Sequence, residues 1–165
     1  MLSKDQLLAA IIKECEIAKH LYTKIPVGGL DYRPTAGQRS TLELLRYLTY
    51  CVAGAAHSMN DGNWNWYEKA SEASKAMPAE RFCAAMDAEI AELKTVFAGI
   101  TSADFANKQA TLPGGGTGPL CVALMETAHK WIVGYRMQLF LYCKAAGNSS
   151  IGTPNNWRGM DRKPE

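Results

Sequence analysis

Near the end of the chain, Trp131 and Tyr135 stand four residues apart in an apolar-periodic segment. A helix there carries both rings on one face, about 400° around and about 6 Å along the axis. Gln138 and Tyr142 continue the same stripe. Indole and phenol groups in this arrangement can wall a pocket for a small apolar or cationic ligand, with N–H and O–H donors at its rim. They can equally fill a helical core. The three histidines, His20, His57 and His129, are the other candidates for chemistry. His129 precedes Trp131 by two residues and so falls about 200° off the aromatic stripe. A zinc or nickel site built from His57, His129 and Glu126 would need a shifted helix register. The acids Asp87, Glu89, Glu92 and Glu126 occupy separate helical positions and read as solvated faces, not as a catalytic pair. Gly114-Gly115-Gly116-Thr117-Gly118 precedes a helix, but no Lys-Ser/Thr follows it and no strand pattern leads into it, so it reads as a flexible turn and not as a phosphate loop. No nucleophile elbow or Ser-His-Asp signature stands out.

The 165 residues suit a single domain spanning 1–165. Such a length buries enough surface to fold without disulfides. The 18 basic and 16 acidic residues leave a net charge of +2 with no basic stripe, which argues against nucleic-acid binding. Cys15, Cys51, Cys83, Cys121 and Cys143 are odd in number, scattered and without a CxxC, as expected of reduced thiols packed in a core. Met1-Leu2-Ser3-Lys4-Asp5-Gln6 lacks the basic-then-apolar order of a signal peptide, and no run of 18 apolar residues exists. The expectation is a cytoplasmic protein with no membrane partner.

Apolar residues at spacings of three and four predict four main helices. The first covers residues 4–25 and ends at Pro26 and Gly28-Gly29. Residues 26–39 form a connection too long for adjacent antiparallel helices, which suggests a crossover. The second helix begins at Ser40, with Glu43 completing a capping box, and runs to Asn60. A short aromatic helix opens at Trp64-Asn65-Trp66-Tyr67. The third long helix follows Pro78, with Phe82, Met86, Ile90, Leu93 and Phe97 inward, and closes at Gly99. Residues 101–116 read as mostly irregular. The fourth helix is predicted from Thr117 to Ala146, and 148–165 form a polar C-terminal tail. No strand pattern of convincing length appears. The fold class is therefore all-α: a four-helix bundle with a long crossover connection, plus short extra helices.

Several motifs resemble the DinB/YfiT-like family of helical bundles. They are Arg33-Pro34-x-x-Gly37-x-x-Ser40 leading into the second helix, Leu44-Leu45-x-Tyr47-Leu48 within it, Tyr135-Arg136-x-Gln138-Leu139 in the last, and the closing Trp157-Arg158-Gly159-Met160-Asp161. The resemblance covers about residues 5–160. In that family one histidine on the second helix and two histidines four apart on the last hold a divalent cation. The resemblance implies that Tyr47, Trp131 and Tyr135 occupy those three positions here, with Gln138 and Tyr142 at the pocket periphery.

The expectation is therefore a DinB-like protein of unassigned reaction with a degenerate metal site and no cofactor. It would bind a small ligand or act as a dimeric interaction module. The alternative is a metal-dependent transferase or hydrolase, related to the family's thiol transferases, using His57, His129 and Glu126. A homodimer is expected from the resemblance and from the Trp64–Tyr67 patch, whose alternating rings cannot all face one core. The Trp157 tail would share that interface or fold back on its own chain.

Overall fold

A computed structural model describes residues 2–162; Met1 and residues 163–165, the ends of the expected domain and tail, lie outside the described residues. Helix α1 (Lys4–Tyr22) starts where Ser3 Oγ accepts from the Gln6 amide and Gln6 Oε1 accepts from the Ser3 amide. Leu7, Ile11, Cys15, Ala18 and Leu21 then form a fully buried stripe. A connection with one 3-10 turn at Gly29–Asp31 leads to α2 (Thr41–Leu48). The expected capping box is present: the Glu43 amide donates to Ser40 Oγ at 3.2 Å, and the Ser40 amide donates to Glu43 Oε2 at 2.7 Å. Ser40→Ala is expected to lower stability by about 1 kcal/mol, the usual loss for an N-cap. A chemical-denaturation midpoint unchanged within error would show that this cap contributes nothing.

The second predicted helix is interrupted. Thr49 Oγ1 donates back to the Arg46 carbonyl at 2.8 Å, and Tyr50 leaves helical geometry at φ −143°. The chain restarts as α3 (Cys51–Asp61), and α4 (Asn65–Ser74) follows. A side-chain hydroxyl that bonds the preceding turn competes with the helical ladder, which favours a break at this point. A 3-10 turn at Ala79–Arg81 precedes α5 (Phe82–Gly99), which carries the predicted inward stripe.

The stretch expected to be irregular is ordered. It contains α6 (Ser102–Asn107) and an antiparallel hairpin of β1 (Gln109–Thr111) and β2 (Thr117–Pro119), with Ala110 opposite Gly118. Gly114, Gly115 and Gly116 all take positive φ in the hairpin loop, a conformation that glycine adopts without a Cβ clash. The long last helix therefore begins three residues later than predicted, as α7 (Leu120–Leu124). It passes through one π-helical turn (Met125–His129) and continues as α8 (Lys130–Ala145). Within the π turn Thr127 Oγ1 donates to the Ala123 carbonyl at 2.6 Å.

The chain is mostly helical, with this hairpin as its sheet among the described residues. Helix α1 packs along α5 and α8; α3 packs on α4, α5 and the π turn; α2 lies against α8. No helix among the described residues is long and apolar enough to cross a membrane. The C-terminal segment is not a free polar tail. Ile151, Asn155 and Asn156 are buried, and α9 (Thr153–Arg158) docks on α1. The cysteines are free thiols, with Cys15, Cys51 and Cys143 buried.

Candidate functional site

Tyr47 lies seven residues past the Ser40 cap, near the end of α2, with its ring buried. The Tyr135 ring meets it edge-on at 4.6 Å, and Tyr50 does so at 5.3 Å. Tyr50 leads to Tyr67 at 5.1 Å, and Tyr67 contacts both Trp64 (5.3 Å) and Trp131 (6.5 Å). Tyr47, Trp131 and Tyr135 thus belong to one continuous cluster, with Trp131 reached through Tyr67. Gly54 permits this packing, because a Cβ there would lie 2.7 Å from Tyr67 Cδ2. The Arg39 guanidinium covers the cluster, 4.2 Å from the Tyr47 centroid and 5.7 Å from that of Tyr135. A cation over an aromatic ring face is electrostatically favoured. Burial pushes the Tyr47 phenol well above its ordinary ionisation range. Tyr47 also lines an open depression of about 280 Å³ shared with Arg39, Glu43, Arg46 and Tyr50.

Gln138 and Tyr142 point elsewhere. Gln138 Nε2 donates to the Tyr142 hydroxyl at 2.6 Å, and that hydroxyl donates to the Arg39 carbonyl at 3.0 Å. Both residues line an apolar depression of about 670 Å³ with Tyr32, Pro34, Met137 and Leu141. Arg39 therefore ties the two regions together through its side chain and its backbone.

His57, His129 and Glu126 are not assembled into a site. His57 Nδ1 faces Asp61 at 3.1 Å and Nε2 faces Glu92 at 2.7 Å, while its ring stacks on Trp66. Glu126 pairs with Lys130 one helical turn on. Among the described residues no group of three or more His, Cys, Asp or Glu side chains is placed to hold a metal ion. His57 thus ties α3 laterally to Glu92 of α5.

The larger departure from the sequence reading is Glu89. It does not lie on a solvated face: it is 3% exposed and reaches the break between α2 and α3. Its Oε1 accepts from the Val52 amide at 2.9 Å and the Ala53 amide at 2.7 Å. These are N-terminal amides of α3 with no intrahelical acceptor, so the carboxyl caps a helix from 36 residues away. Burial is the main influence on Glu89 and raises its ionisation to about 8; the two amides oppose this, and Glu92 adds to it. Glu89 also lines an open cavity of about 390 Å³ between α4, α5 and the α2–α3 break. Tyr50, Trp66 and Met77 give the cavity an apolar wall. Ala70, Ala73, Ala85 and Ala88 leave it room, and Glu89 and Glu92 are its acids. Helix α4 itself has no fully buried residue, so it leans on α3 and leaves this gap toward α5.

Compared with known proteins, the chain matches no family model and no curated sequence.

One sequence signal pointed to Glu89. It falls three residues after Met86 and four before Leu93, inside the buried stripe of α5. A carboxyl on the apolar face of a helix needs a buried partner, and that requirement could have singled it out. Arg136 carries the same signal in α8. It is fully buried, pairs with Glu14 on α1, and donates from Nη1 to both the carbonyl and Oδ1 of Asn156.

Proposed function

We propose that the chain is a DinB/YfiT-like four-helix bundle that works without the family's metal and binds a small organic ligand. The cavity between α4 and α5 carries this reading: it joins a size suited to a small molecule with apolar walls and one buried carboxyl. The aromatic trio supports the metal-free part. Where the family places three histidines around a cation, Tyr47 and Tyr135 pack together and Arg39 lays its own positive charge across them.

Trp66 makes the reading testable. Titration with benzyl alcohol and with benzylammonium should change Trp66 fluorescence saturably, taken as the difference from Trp66→Phe. The change should vanish in Ala85→Leu, whose side chain fills the cavity. No saturable response to either probe overturns the reading. One tightly held zinc or nickel per chain, in protein purified without a nickel column, would instead favour the metal-dependent transferase or hydrolase.

Homodimeric assembly is a second part of the proposal. Trp64 is 39% and Trp157 52% exposed, although each packs one ring face on its own chain. Such aromatic surface suits an interface. Light scattering at micromolar concentration is expected to give about twice the chain mass of 18.1 kDa; the single-chain mass would reject the dimer.

A further inference from the structure

The lining of the α4–α5 cavity narrows what it can hold. Its charged side chains are acids, Glu89 and Glu92, and no Lys or Arg lines it. An anion would face these carboxyls with no cationic side chain in the lining, and the α3 amides that could attract it already serve Glu89 Oε1. For a divalent metal, no group of three or more His, Cys, Asp or Glu side chains converges here among the described residues. Glu89 Oε1 is committed to two amides, Glu92 Oε1 faces His57, and the Thr49 and Ser74 hydroxyls donate to the Arg46 and Ser71 carbonyls; the remaining walls are alanine, methionine and aromatic side chains. Glu89 Oε2 has no hydrogen-bond partner among the described residues, on a side chain that is almost wholly buried and lines the cavity. A positive group on an apolar body satisfies all of these features. Its N–H donors complete the carboxylate, and its carbon skeleton lies against Trp66, Tyr50 and Met77.

We propose that this cavity binds a small organic ammonium ion, with its nitrogen at Glu89 Oε2 and its apolar body against Trp66 and Tyr50. The proposal rests on the ligand-binding reading above and names the ligand class for that site.

Binding exchanges one cation for another. The empty site holds a proton on Glu89 at neutral pH; the ammonium ion takes over the negative charge and the proton leaves to solvent. The titratable neighbours are Glu92 on the same helix, His57 and Cys51 on α3, Tyr50 at the break, and Cys15 on α1. Burial holds both thiols neutral through this range. His57 is shared by Asp61 and Glu92, so it faces Glu92 and not the open oxygen of Glu89. Amine affinity should therefore rise with pH from 6, less steeply as pH nears 8, and level off above about 8, following Glu89.

Isothermal titration of the full chain with benzylammonium and its neutral analogue benzyl alcohol tests the proposal. The expected result is at least tenfold tighter binding of the amine at pH 8. At pH 7, runs in buffers of different ionisation enthalpy should show that binding of the amine releases a proton to the buffer. Glu89→Gln keeps an oxygen for the Val52 and Ala53 amides, so it should fold, lose the amine preference and release no proton. Equal affinity for amine and alcohol, or an amine preference that survives in folded Glu89→Gln, overturns the ammonium assignment and leaves the ligand-binding reading in place. Failure of both compounds to bind overturns the two together.

Discussion

Glu89→Gln is expected to be more stable than the parent at pH 9 and to differ little from it at pH 4. In the folded chain Glu89 holds its proton up to about 8, against an ordinary 4.5. Between those values the unfolded chain has released a proton that the folded chain keeps. The free energy of unfolding therefore falls as pH rises, and the loss is complete above about 8. A displacement of this size corresponds to an upper limit of about 5 kcal/mol. Glutamine keeps one oxygen for the two α3 amides and never has to ionise in the low-dielectric interior. The stability difference between variant and parent should then grow through this window, whatever other groups contribute to both. Denaturant unfolding at pH 4, 6, 8 and 9 measures it. A difference that stays flat across the series would show that Glu89 ionises freely in the folded chain.

Arg136→Met should destabilise the chain by about 3–5 kcal/mol, the range seen when one member of a buried ion pair is removed. Arg136 is fully buried, and three groups depend on it: Glu14 on α1, the Asn156 carbonyl, and the Trp157 ring 4.8 Å from its guanidinium carbon. Removing the guanidinium leaves Glu14, itself only 16% exposed in its side chain, without its cation. It also frees α9 from α8. The denaturation midpoint should fall, and trypsin should cut after Arg158 sooner than in the parent. Pairing the change with Glu14→Gln should recover part of the loss, because the stranded charge goes with it. A single variant as stable and as protease-resistant as the parent would show that the tail is held by other contacts.

The parts legible in the sequence are those whose determinants are neighbours along the chain. Ser40 and Glu43 lie three residues apart, so their reciprocal cap is encoded locally, and it appears where the spacing places it. The stripes of α1 and α5 follow from the 3.6-residue period, and the glycines at 114–116 mark a reversal whatever surrounds them. The grouping of Trp131 and Tyr135 likewise follows from helical spacing, although their junction with Tyr67 depends on α4 folding over Gly54.

Tertiary structure decided the rest. The second predicted helix breaks at Thr49–Tyr50, and the amides beyond the break are satisfied by a carboxyl 36 and 37 residues away. No local pattern specifies that partner; it exists only once α5 packs on α3. The π turn at Met125–His129 and the hairpin before α7 shift the start and register of the last helix in ways its apolar period does not carry. The polar tail, expected to join an interface or fold back, docks as α9 on α1, where Asn156 accepts from Arg136, buried 20 residues earlier. The same physics underlies the placement of Glu89 and of Arg136. A charged group on an apolar face is costly until a distant partner satisfies it, and local spacing reveals the need for that partner but not which residue meets it.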